Sequence, residues 1–86
     1  METKKVWCVR THIVSDFKTM TNDVRLFDVL EDAKNSFNNI VNEEREIAND
    51  NGFVIEYDDS CNFVAYEDGY YTHNHICVNL YGAKIE

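Results

Sequence analysis

The sequence predicts an α+β fold: an antiparallel sheet of four to five strands with one long helix packed on one face, in the order β(β)αβββ. Three observations predict it. Residues 5–14 alternate with a period of two, as a strand does. Residues 28–50 carry apolar side chains at helical spacing. Beyond residue 52, three more strand-like runs are separated by turn residues, one pair being Asp68-Gly69, a strong hairpin signal.

Each element follows from its own residues. In the first strand Trp7, Val9, Thr11 and Ile13 share one parity, and Val6, Cys8, Arg10, His12 and Val14 share the other. That gives a more apolar face and a mixed face. Residues 15–21 are polar and break the pattern, and residues 23–27 read as a short second strand beside the first. Asp28 followed by Glu31 matches the D-x-x-E form of a capping box. Ala33, Phe37, Ile40, Val41, Ile47 and Ala48 then form one helical face. Gly52 is expected to close the helix in the left-handed conformation. The helix spans roughly 20 residues, or about 30 Å. Residues 53–57 place Phe53, Ile55 and Tyr57 on one side, and Asp58-Asp59-Ser60 reads as a turn. Residues 62–66 set Val64 and Tyr66 opposite Phe63 and Ala65, and residues 71–81 form the longest strand, with Ile76, Val78 and Leu80 on its apolar face. The sheet face away from the helix is expected to be at least half polar, as antiparallel sheets permit.

The 86 residues are one domain, 1–86, with room for one hydrophobic core. A chain this short buries about 60–65% of its unfolded surface, so its stability margin is thin. No apolar run approaches the roughly 18–20 residues needed to span a bilayer. The opening Met1-Glu2-Thr3-Lys4-Lys5 lacks a signal peptide's apolar segment, so the expected location is the cytoplasm. Cys8, Cys61 and Cys77 form no CxxC pair, which does not read as a disulfide framework.

Sixteen acidic and eight basic residues give a formal charge of −8. This balance argues against direct binding of nucleic acid and against docking on anionic membranes, and it favours a basic protein surface as partner. The carboxylates have definite places. Asp28, Glu31 and Asp32 open the helix, where its dipole favours them. Glu43, Glu44, Glu46 and Asp50 load its C-terminal half, where the dipole disfavours them. Asp58 and Asp59, then Glu67 and Asp68, sit at two turns. A row of carboxylates on a helix is able to imitate the phosphates that a basic groove expects. Tyr70 and Tyr71 beside the second turn add interface-type side chains, since tyrosine combines apolar area with a polar tip. The partner-binding candidates are therefore Glu43, Glu44, Glu46, Asp50, Asp58, Asp59, Glu67, Asp68, Tyr70 and Tyr71.

The last strand offers a metal alternative. His73, His75 and Cys77 share one parity, and Cys8 and His12 lie on the mixed face of the first strand. If the two faces coincide, imidazole and thiol ligands of the kind zinc or copper takes would converge. Catalysis has less support. Cys77 sits mid-strand, away from any helix N-terminus that would activate it, and the chain has no glycine-rich phosphate loop. No cofactor is expected, and the reading is of a protein that is not an enzyme.

The length, the charge of −8, the acidic helix of residues 28–50 and the Tyr-Glu-Asp-Gly-Tyr-Tyr run from Tyr66 to Tyr71 resemble the small acidic anti-defence proteins of phages and mobile elements, anti-CRISPR proteins among them. The resemblance is one of class and matches no specific motif. It implies a stoichiometric inhibitor that occupies the nucleic-acid or target-recognition surface of a host nuclease complex, acting in the host cytoplasm if phage-encoded. Two alternatives stand beside it: a structural or regulatory homodimeric domain, and a metal-binding domain using the His/Cys face.

Overall fold

The computed structural model describes residues 4–14, 20–67 and 74–85. These residues form β1 (Lys4–Val14), β2 (Met20–Phe27), α1 (Leu30–Asp50), β3 (Val54–Asp58), β4 (Asn62–Tyr66) and β5 (His75–Ile85). The strands make one sheet in the order β2-β1-β5-β4-β3, and every neighbouring pair is antiparallel. The α+β fold and its element order are those the sequence predicts. No helix among the described residues is long and apolar enough to cross a membrane.

Helix α1 lies on one face of the sheet. It buries Ala33, Phe37, Val41 and Ala48 against Val9 of β1, Phe63 and Ala65 of β4, and Ile76, Val78 and Leu80 of β5. Burial alternates along the strands because successive side chains leave opposite faces. Among the described residues, Phe37, Phe63, Val9 and Val78 are the largest fully buried side chains. Each fully buried aliphatic or aromatic group contributes about 1.5–3 kcal/mol of transfer free energy, so these four anchor the two layers.

The helix ends as expected. Gly52 has φ 71°, its N–H donates to the Asn49 carbonyl, and the Phe53 N–H donates to the Ala48 carbonyl at 2.8 Å. This is the Schellman arrangement, and glycine takes the left-handed conformation without steric cost.

Four local expectations need correction. The N-cap is Val29 in extended conformation, with no side-chain cap bond, so the Asp28–Glu31 box does not form. Burial of Ala33 and Phe37 sets where the helix begins, and this outweighs a cap worth about 1 kcal/mol. Strand β2 begins at Met20 rather than at residue 23, because its pairing with β1 runs the whole way to Val14. Ile47 is 47% exposed rather than in the core. At about 100° per residue it stands a quarter-turn from buried Ala48, off the edge of the apolar stripe.

The fourth correction matters most for the surface. Ile55 pairs with Ala65 but Tyr57 pairs with Val64, so Glu56 is the extra residue of a β-bulge. The bulge reverses the alternation. Tyr57 leaves the helix side for the opposite face, and Asp58, still within β3, comes to the helix side opposite Phe63. The turn is correspondingly shorter and begins at Asp59.

Candidate protein-binding surfaces

The sheet has a covered face and an open face, and the two differ sharply in charge. On the helix layer the sequence supplies six carboxylates, Glu31, Asp32, Glu43, Glu44, Glu46 and Asp50, against Lys34 and Arg45. The last turn has no basic residue. Arg45 is already engaged. Its Nε and Nη2 donate to Asp58 Oδ2 at 2.7 Å and Oδ1 at 2.6 Å, a bidentate pair, and its Nη1 donates to Asn42 Oδ1. The guanidinium holds the Asp58 carboxyl below the usual aspartate range, first through the hydrogen bond and then through charge. Glu44 is shifted the other way: partial burial raises it, and the neighbouring Glu43 carboxylate adds to this.

The ten candidate contact residues therefore separate into distinct roles. Asp58 ties β3 to α1. Asp59 Oδ1 accepts from the backbone N–H groups of Cys61 and Asn62 at 2.9 and 2.7 Å, closing the β3–β4 turn. Glu67 accepts from Asn74 Nδ2 at 2.7 Å, and its N–H donates to the Asn74 carbonyl, which holds the base of the β4–β5 connection. Glu44 lines a cleft of about 380 Å³ with Ile13, Ile47, Phe53 and Ile76. Glu43, Glu46 and Asp50 are exposed, and among the described residues none of the three has a counter-ion. Asp68, Tyr70 and Tyr71 lie outside the described residues.

The open face carries the opposite composition. Seven large apolar side chains are conspicuously exposed among the described residues, and five of them, Val24, Leu26, Val54, Tyr57 and Tyr81, share this face. Strand β2 shows the arrangement most clearly. Asp23 and Arg25 point to the helix side and pair with each other at 3.2 Å, while Val24 and Leu26 point away from the core. Among the described residues, no position paired in the ladder on the open face is Asp or Glu. Its centre is polar and carries one exposed cation, Arg10, between Val24 and Asn79; Asn79 Nδ2 donates to Asn62 Oδ1 at 2.8 Å, and Cys77 Sγ donates to Asn79 Oδ1 at 3.3 Å.

The His/Cys residues do come together on this face. Pairing of β1 with β5 sets His12 directly opposite Cys77, and the rings of His12 and His75 lie 5.3 Å apart, centroid to centroid. Among the described residues, His12 Nδ1 is buried and has no hydrogen-bond partner. Cys8 lies on the same face, between Leu26 and Tyr81, where it is buried. Among the described residues no three His, Cys, Asp or Glu side chains are arranged to hold a metal ion. His73 lies outside the described residues.

No protein-family model, curated protein or solved structure matches the chain.

Proposed function

We propose that the protein works by binding another protein, with the outer side of α1 as the surface that meets a basic partner. The observation that carries this reading is the segregation of charge. Among the described residues, the helix layer holds exposed Glu43, Glu46 and Asp50 without counter-ions, while the ladder positions of the open sheet face hold Arg10 and no carboxylate. Asp50, in the last turn, opposes the helix dipole at a cost of about 0.3–1 kcal/mol, and the like charges of Glu43 and Glu46 repel along the same half of the helix. A partner bearing clustered Lys or Arg would offset that cost. A surface that normally holds nucleic-acid phosphates has the required charge, which keeps a stoichiometric inhibitor of a nucleic-acid-binding complex as the specific form of the proposal.

The test is affinity capture with the native protein and with a Glu43→Lys/Glu46→Lys/Asp50→Lys variant. Binding through the helix face should recover a basic protein that the variant fails to recover. Added duplex nucleic acid and raised salt should each release it, because exposed charges are screened beyond a Debye length of about 8 Å at physiological ionic strength. Equal capture by the native and variant proteins would exclude the helix face as the contact.

A further inference from the structure

We infer that the open sheet face is a homodimer interface, occupied by a second copy of this chain. The inference is independent of the partner proposed for the helix, since the two surfaces lie on opposite sides of the sheet.

Three features argue for this occupant. The first is electrostatic. Two copies each carrying a formal −8 repel over most of their surfaces. The open face is the least acidic described surface: its ladder positions hold the cation Arg10 and no carboxylate, and the bulge adds Glu56 at the β3 flank. The second is area. Strands of 11, 8, 5, 5 and 11 residues, at about 3.3 Å rise and about 4.8 Å spacing, project roughly 630 Å². Val6 and Cys8 on this face are already buried within the chain, so the contact is of the smaller class, about 600 Å² per partner or less.

The third is the pattern across the face. Apolar groups occupy both flanks, Val24 and Leu26 on β2 and Val54 and Tyr57 on β3, with the Asn62–Asn79 pair between them. A two-fold axis parallel to β5 lays the β2 flank of one copy on the β3 flank of the other, twice. It sets Asn79 against Asn79 and the Asn62 of each copy against Arg10 of the other, where the guanidinium has an amide oxygen to donate to. Edge-to-edge pairing is less suited. The β3 edge is broken by its bulge, and the β2 edge carries Asp23 and Arg25.

Sedimentation equilibrium from micromolar to about half-millimolar protein tests the inference. The native chain should show a species of about 20 kDa, twice the 10.1 kDa of one copy. Leu26→Asp and Tyr57→Asp each put a carboxylate against an apolar flank of the other copy, and each should weaken dimerisation about a hundredfold. Val29→Asp puts the same charge at an exposed apolar position at the start of the helix and should leave the dimer intact. Circular dichroism of all three variants checks that the fold is kept. A native chain that stays monomeric across the range overturns the inference. So does a dimer that persists in folded Leu26→Asp and Tyr57→Asp.

Discussion

Replacing Asp58 by Asn tests whether the β3 bulge has a structural purpose. The bulge carries Asp58 to the helix side, where both carboxylate oxygens accept from Arg45. The two side chains remain about one-third exposed, so solvent screens their attraction. Ordinary exposed ion pairs contribute about 0.2–1 kcal/mol, and the bidentate geometry puts this one near the top of that range. A double-mutant cycle with Asp58→Asn and Arg45→Met should give a coupling of about 1 kcal/mol. In a domain of this size that corresponds to a fall of roughly 4–8 °C in Tm for loss of the pair.

The pH dependence has a definite sign. Arg45 lowers the folded-state pKa of Asp58, so the pair's stabilisation is present above the unfolded aspartate value of about 3.9 and is lost as pH falls through the lower folded value. Urea unfolding of the native and Asp58→Asn proteins between neutral pH and strong acid should therefore show stabilities that converge at the acid end. A coupling below about 0.2 kcal/mol, or a gap that does not close in acid, would refute the structural role given to the bulge.

Two further outcomes are expected. A Cβ at Gly82 would lie 3.0 Å from Trp7 Cζ3 and 2.7 Å from Lys5 Cε. Gly82→Ala should thus nudge the single tryptophan and shift its fluorescence; with Gly82 exposed and Trp7 half-buried, stability in denaturant unfolding should change by less than about 1 kcal/mol. Glu44→Gln should stabilise the protein at neutral pH, because burial and then Glu43 disfavour the charged carboxylate; the gain should vanish once acid protonates Glu44 in the folded and unfolded chains alike, and destabilisation at neutral pH would contradict this reading.

The strands, the helix and the glycine closure at Gly52 were legible in the sequence because each is set by local periodicity or backbone conformation. The bulge was not. One extra residue in a five-residue strand leaves no compositional mark, so Tyr57 reads as a companion of Ile55 although the ladder puts it on the opposite face. The open surface was hidden for a similar reason. In β2, Val24 and Leu26 alternate with Asp23 and Arg25, and period-two reasoning assigns the apolar set to the core. Register decides otherwise: Val24 and Leu26 pair with Arg10 and Cys8 on the open face, while Phe27, opposite Trp7, packs on the helix side. The meeting of His12 with Cys77 was conditional on the adjacency of β1 and β5, which the pairing supplies. The acidic candidates were visible as charges, but charge alone does not separate Asp58, Asp59 and Glu67, which hold the fold, from Glu43, Glu46 and Asp50, which face solvent.

The most direct test of the proposed helix-face function is an NMR titration of isotope-labelled protein with the basic protein recovered by affinity capture. Amide shift changes should gather on the outward residues of α1, Glu43, Glu46 and Asp50 among them, and disappear in high salt. Shift changes confined to the open sheet face, or unaffected by salt, would contradict it.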